Sequence, residues 1–236
     1  MKKLIIIPAY NEEASIGAVL SSLDKYADSY DFIVINDAST DNTRSIVKKN
    51  NGRIIDLPVN LGIGGAVQTG YIYAKENGYD IAIQMDGDGQ HDPEYLSALV
   101  SPLEAGECDI TIGSRFLNSE GFQSSAIRRF GISFLNWLIH LFTKITVTDA
   151  TSGFRAVNKK GIDLYSRYYP QDYPEPEAIV IAARTKKSIK EIPVRMKSRM
   201  AGHSSISPLR SLYYMIKVSL AIIISNITGI IGGYDL

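Results

Sequence analysis

The first half of this chain is dominated by one rhythm: short runs rich in Ile and Val alternate with amphipathic stretches of helical period. Residues 4–7, 32–35, 54–57, 81–85 and 110–112 read as strands, being too short for helices and rich in β-branched side chains. Helical patterns fill the gaps at about 12–26, 41–49, 63–76 and 93–103. Two of these starts carry cap chemistry, Ser39, Thr40 and Asp41 before the second and Asp92-Pro93-Glu94 before the fourth. Strand, helix and strand in this order call for a mainly parallel sheet covered on both faces, because parallel neighbours need a crossover that lays a helix on the sheet. Ligands of such sheets gather beyond the carboxyl ends of the strands. Chemistry is therefore expected in the loops after Ile7, Ile35 and Met85.

The rhythm breaks after about Arg115. A helix is expected over 130–145, with Phe130, Phe134, Trp137, Leu138, Leu141, Phe142 and Ile145 on one face and Ile132, Leu135 and Ile139 elsewhere, so it is apolar on more than one side. A polar loop at 149–155 and a tyrosine- and proline-rich segment at 165–176 follow, then a strand at 189–194. The last helix, 209–227, carries Leu209, Leu212, Tyr213, Ile216, Leu220, Ile223, Ile224 and Ile227 at helical spacing. No internal repeat or interdomain linker is visible. With 236 residues and 45% hydrophobic content, one globular domain over 1–208 and a C-terminal amphipathic interfacial helix over 209–236 are expected.

Charge and cysteine content narrow the setting. Lys plus Arg and Asp plus Glu are both 25, so no global field attracts nucleic acid, and no nucleic-acid partner is expected. The lone Cys108 excludes an internal disulfide framework and fits a reducing, cytoplasmic compartment. The apolar run at 4–7 meets Pro8 at once and is too short for a secretory signal. The terminal helix is interrupted by Lys217, Ser219, Ser225 and Asn226, whereas a transmembrane helix needs about 20 mainly apolar residues. Peripheral attachment at the inner face of a membrane is expected, with homo-oligomerisation through the terminal helix as the other use of that surface.

The most specific chemical signal is Gln84-Met85-Asp86-Gly87-Asp88-Gly89-Gln90-His91-Asp92-Pro93, directly after the fourth strand. Two carboxylates two residues apart, in a loop loosened by glycines, can converge on one hard cation. Taken alone, the pair suits a capped Asp-Gly turn equally well. Its neighbours shift that balance: Pro8-Ala9-Tyr10-Asn11-Glu12 ends the first strand and Asn36-Asp37-Ala38-Ser39-Thr40-Asp41 the second, so three strand ends present polar groups on one edge.

These pieces, together with Asn60-Leu61-Gly62, Gly113-Ser114-Arg115, Ser152-Gly153-Phe154-Arg155 and Glu191-Ile192-Pro193-Val194, resemble family 2 glycosyltransferases of the GT-A fold, in the dolichyl- or polyprenyl-phosphate branch. The resemblance implies an α/β fold with a mixed, mainly parallel central sheet, and an inverting, metal-dependent transfer of a sugar from a nucleotide-sugar donor to a polyprenyl-phosphate acceptor. It implies that Pro8, Ala9, Tyr10, Glu12, Asp37 and Asp86 line the donor nucleotide pocket, and that Asp86, Asp88 and Gln90 hold Mg²⁺ or Mn²⁺ against the diphosphate. Asp86, Asp88 and Arg115 are the expected catalytic residues. The family often has two acids where this chain has Asn36-Asp37. His91 is expected to serve structure at the helix start.

The resemblance also turns Arg115 and one of Arg128 or Arg129 toward the acceptor phosphate, where the planar guanidinium suits bidentate contact. Arg199 lies in a loop similar to one that commonly ends in Ser-Lys, with Ser205 in place of the lysine. A phosphate acceptor is already anionic, whereas a sugar hydroxyl usually needs a base. Asp149, Glu175 and Glu177 stay open as bases, so transfer to a saccharide hydroxyl is an alternative. A non-catalytic nucleotide-sugar-binding subunit is another.

Overall fold

The computed structural model describes residues 1–118, 126–171, 174–197, 216–220 and 222–223, with residues 126–128 as backbone alone. Among the described residues, seven strands form one sheet: β1 Lys3–Ala9, β2 Asp31–Asn36, β3 Ile54–Asp56, β4 Ile81–Gln84, β5 Ile110–Ser114, β6 Arg155–Asn158 and β7 Ile189–Pro193, in the order β3-β2-β1-β4-β6-β5-β7. All pairings are parallel except those of β6, which runs antiparallel to both β4 and β5. Because β6 is reversed against both neighbours, β5 and β7 point the same way as β1, β2 and β4. The carboxyl ends of all of these strands therefore share one edge, and β6 begins there, with Arg155 opposite Gln84 and Ile112.

The helices are α1 Ile16–Leu23, α2 Thr43–Lys49, α3 Gly62–Glu76, α4 Leu96–Glu104, α5 Ala126–Thr143, α6 Lys159–Arg167 and α7 Pro174–Arg184. Strand alternation distributes the core to both faces. Leu4 and Ile6 of β1 pack with Val67, Tyr71 and Ala74 of α3, while Ile5 and Ile7 pack with Val19 and Leu20 of α1 and Leu99 of α4. All four β1 side chains are fully buried, each worth about 1.5–3 kcal/mol. Helix α3 lies close because Gly70 faces the strand: a Cβ there would come 2.2 Å from Ile6 Cγ2.

The expected strands and the first four helices are present, with Asp92 capping as expected by accepting Glu94 N–H at 3.2 Å. Strand β6 and helices α6 and α7 were not expected. β6 has only four residues and continues a polar loop, and α7 opens on Pro174-Glu175-Pro176-Glu177, whose prolines look like loop signals but fit a first helical turn.

In α5 the two apolar sides have separate fates, except that Leu138 and Phe142 of the aromatic side, with Ile145 just beyond the helix, also pack on the core. Ile132, Leu135, Leu138 and Ile139 are buried, while Phe130, Phe134, Trp137 and Leu141 form an exposed stripe. Of the expected terminal helix, residues 216–220 and 222–223 are helical; Val218 and Ile222 are buried and Ile216 and Leu220 exposed. The boundary at 208/209 and the rest of the terminal segment lie outside the described residues. Among the described residues no helix is long and apolar enough to cross a membrane.

Candidate active site

The loops after β1 and β2 are laced together. Asn11 and Ala38 both adopt left-handed backbone, with φ of 56°, a conformation Asn tolerates and Ala takes at a cost. Asn11 N–H donates to Ser39 Oγ at 3.0 Å and Asn11 Oδ1 accepts Thr40 N–H at 2.8 Å. Glu12 N–H donates to Thr43 Oγ1 at 2.8 Å, and Glu12 Oε2 accepts the Ser15 hydroxyl at 2.7 Å. Pro8 and Ala9 are buried in the strand end, and Tyr10 stands half exposed above it.

Asp37 is buried, and its Oδ1 accepts Leu61 N–H at 2.7 Å while Asn60 Nδ2 donates to its carbonyl at 3.2 Å. The Asn-Leu-Gly motif thus folds onto the end of β2. Asn36 turns the other way, donating to Asp56 Oδ1 at 2.8 Å and accepting Ser39 N–H at 3.2 Å. The neutral residue of the Asn36-Asp37 pair is thereby engaged in holding the loop.

Beyond β4, Asp86 is one-third exposed, and its backbone N–H donates to His91 Nδ1 at 3.0 Å. That bond leaves the imidazole proton on Nε2, which lies 3.8 Å from Asp86 Oδ2. His91 is buried and stacks on Phe154 at 4.7 Å, so it organises the loop as expected. Asp88 is buried, and its Oδ1 accepts Gln90 N–H at 3.0 Å. Gln90 is joined to the segment after β7, its carbonyl accepting Lys197 N–H at 2.9 Å. Among the described residues no group of three or more His, Cys, Asp or Glu side chains can enclose a metal ion. Two carboxylates and an amide oxygen in one loop still fit Mg²⁺ or Mn²⁺, since such ions are held by one or two carboxylates plus substrate phosphates rather than by a closed protein cage.

Arg115 follows β5 and is fixed by Asp149. Its Nε donates to Oδ2 at 2.6 Å, its Nη2 to Oδ1 at 2.7 Å and to Thr151 Oγ1 at 3.0 Å. Asp149 is in turn held by Glu191, which accepts Asp149 N–H at 2.9 Å, Thr148 N–H at 2.8 Å and the Thr148 hydroxyl at 3.0 Å. Asn136 of α5 clasps the same loop, donating to Thr148 O at 2.7 Å and accepting Ala150 N–H at 3.2 Å. Buried Arg155 ties this loop to α7 through the carbonyls of Ser152, Ala150 and Glu175, at 2.7, 2.9 and 2.8 Å.

Glu175 opens α7. Burial pushes its carboxyl up to about 7, against the pull of Arg155 and with a further push from Asp86. Of the acids open as bases, Asp149 is therefore committed to Arg115, and Glu175 has a carboxyl poised near neutrality. Arg129 is exposed on α5; the Arg128 side chain and Arg199 with its loop lie outside the described residues. Glu191 and Arg155 were visible only as motif members, and the clasp made by Asn136 carried no local signal.

Residues 4–164 match the sequence profile of Glycosyl transferase family 2. The UDP-N-acetylglucosamine–dolichyl-phosphate N-acetylglucosaminyltransferase of Methanococcus voltae is 33% identical over 215 residues, covering 81% of this chain and 84% of that protein. The undecaprenyl-phosphate mannosyltransferase of Micrococcus luteus is 29% identical, covering 88% of each. In fold, the chain is similar to the crystal structure of glucosyl-3-phosphoglycerate synthase from Mycobacterium tuberculosis in complex with phosphoglyceric acid, with a TM-score of 0.71 at 22% identity over 95% of this chain and 79% of that one.

Proposed function

The chain belongs to glycosyl transferase family 2, and we propose that it transfers a sugar, with inversion, from a nucleoside-diphosphate sugar to a polyprenyl phosphate at the inner, cytoplasmic face of a membrane. The observation that carries this reading is the fixed Arg115 guanidinium, presented on the same sheet edge as Asp86 and Asp88. A guanidinium held on the same edge as two carboxylates suited to a divalent ion fits an anionic acceptor, which needs aiming more than it needs a base.

In this reading Pro8, Ala9, Tyr10 and Glu12 line the nucleoside pocket, and Asp37 reads the base. Asp86, Asp88 and Gln90 hold the divalent ion. When bound, that ion neutralises the charge gathering on the diphosphate as the sugar leaves. Arg115, with Arg129, Arg128 and Arg199, orients the acceptor phosphate so that one of its oxygens faces the anomeric carbon opposite the leaving diphosphate. Support for the lipid comes from two sides. The two relatives described above are named for dolichyl and undecaprenyl phosphate. The exposed stripe of Phe130, Phe134, Trp137 and Leu141, with Ile216 and Leu220, suits the boundary between headgroups and acyl chains.

One observation favours a saccharide hydroxyl instead: a carboxyl titrating near 7, as Glu175 does, is matched to proton abstraction at neutral pH. A transfer assay with radiolabelled UDP- and GDP-sugars and Mn²⁺, offering polyprenyl phosphate and oligosaccharides in parallel, decides. Label is expected in an organic-extractable lipid product; transfer to oligosaccharide alone would overturn the reading. Absence of both transfer and metal-dependent donor hydrolysis would make the chain a binding subunit.

A further inference from the structure

Gln84, the last residue of β4, is fully buried, so its amide has to find partners inside the protein. Tyr169, two residues beyond α6, supplies one: its hydroxyl donates to Gln84 Oε1 at 3.2 Å. The phenol can donate or accept, so the sense of the amide is set by the Asp86 carboxylate on its other side, which only accepts and must therefore meet Nε2. That atom donates to Asp86 Oδ1 at 3.4 Å. Both bonds are long, so they provide direction more than strength.

The surroundings leave this arrangement little freedom. Gly153 closes another side, since a Cβ on it would come 3.0 Å from Asp86 Oδ2 and 3.0 Å from Gln84 Nε2. The Tyr169 ring is held by Tyr71 and Tyr165, with centroids 5.5 and 5.2 Å away. The residues that follow press on the start of α3: Gly64 N–H donates to Gln171 O at 3.1 Å, and a Cβ on Gly64 would lie 2.0 Å from Pro170 O. Helix α3 begins directly after Leu61, whose N–H is bound by Asp37. One short segment, 169–171, therefore touches the support of Asp86 at one end and the support of Asp37 at the other.

We propose that Tyr169 is a positioning residue for Asp86, acting through the Gln84 amide. The inference rests on the reading of Asp86 as a metal ligand. Without the tyrosine hydroxyl the buried amide oxygen is unpaired and the amide is drawn toward another donor, which loosens the Nε2 contact that aims Asp86. Groups that orient a ligating side chain in this way typically change metal affinity about 10–100-fold when removed.

The test is Mn²⁺ binding followed by electron paramagnetic resonance, in the presence of UDP and in parallel GDP, on wild type, Tyr169→Phe, Gln84→Met and the double variant. Tyr169→Phe keeps the ring and its packing. Mn²⁺ affinity is expected to fall about tenfold in each single variant, with a lower melting temperature because each leaves a buried polar group unpaired, and affinity should fall no further in the double variant. Affinity within about twofold of wild type in Tyr169→Phe, with or without a lower melting temperature, would overturn the proposal. Losses that add in the double variant would overturn the route through Gln84. Should Tyr169→Phe not fold, unchanged affinity in Gln84→Met overturns the same route. A wild type that binds no Mn²⁺ with either nucleotide removes the metal reading, and the proposal with it.

Discussion

Arg115 and Asp149 meet as a two-pronged ion pair, guanidinium Nε and Nη2 against the two carboxylate oxygens at 2.6 and 2.7 Å, and the Arg115 backbone N–H adds a contact to Oδ2 at 3.2 Å. Asp149 is fully buried and Arg115 keeps 13% of its side chain exposed. A pair this well satisfied fixes where the guanidinium points, and Glu191 and Asn136 fix the loop that carries its partner.

Breaking that pair leaves an uncompensated, mostly buried cation, which costs about 3–5 kcal/mol in comparable cases. Asp149→Ala is expected near the lower end, because Arg115 still meets some water, and it should also lose transfer. Arg115→Lys keeps the charge but not the fork, so it should lose transfer while losing less stability. Urea denaturation alongside the transfer assay checks both; an Asp149→Ala protein as stable and active as wild type would show the pair to be incidental.

Glu191 accepts two bonds from Thr148 and one from Asp149. Glu191→Gln keeps the shape but replaces one acceptor oxygen with a donor, which faces an N–H either way. A loss of about 1.5–3 kcal/mol is expected. A weaker response to acceptor than to donor concentration should accompany it, since the damage passes through Asp149 to Arg115. Separate KM values for the two substrates provide the check.

Glu175 sets the sign of one pH dependence. Its folded carboxyl titrates at about 7 against an ordinary value of 4.5, with burial the largest cause. Between these values the folded chain keeps a proton that the unfolded chain has released, so this contribution is fully present below the unfolded value and is lost as pH rises through about 7. Glu175→Gln removes the dependence. Its stability relative to wild type should therefore improve from about pH 5 to about pH 8, by at most about 3 kcal/mol at about 1.36 kcal/mol per pH unit. Urea titrations in chelator measure it, and a constant difference across that range would contradict the assignment.

Asp88 is buried and engages Gln90 N–H, yet it sits in a loop rather than among core side chains. Asp88→Ala should keep the fold and lower transfer by more than about a hundredfold, the scale of removing one preorganised electrostatic partner. Circular dichroism and the transfer assay separate the two effects; substantial activity in the variant would remove the metal assignment.

The exposed stripe on α5 makes a separate prediction. Phe130→Glu with Trp137→Glu places charges where the bilayer boundary is expected, at little cost to folding because both side chains already face solvent. Flotation with anionic liposomes should fall while melting temperature holds. Undiminished flotation would take this face out of the membrane reading.

Much of this protein is legible along the chain because much of it is local. Strand and helix periods, the Asp92 cap and the clustering of Asp37, Asp86 and Asp88 at strand ends all follow from residues within a few positions of one another. Those features implied a mainly parallel α/β sheet, and the resemblance of the motifs in their order implied the family. They were silent where partners lie far apart: Arg115 and Asp149 are 34 residues apart, Gln84 and Tyr169 are 85. Short β6 becomes a strand only through β4 and β5 on either side, and its reversal brings the loop before it to the edge where the other strands end. Both sides of α5 are apolar, one aromatic and one aliphatic, and hydropathy alone does not choose between them; packing against α7 and the core buried Ile132 and Leu135 and left Phe130 and Trp137 in solvent. The amino-acid order thus determined which elements form and which chemical groups end them, since backbone propensity and turn chemistry act over a turn or two. Which of those groups are paired, and with which partners, was decided by tertiary contacts, since only the assembled sheet brings distant side chains within hydrogen-bonding reach.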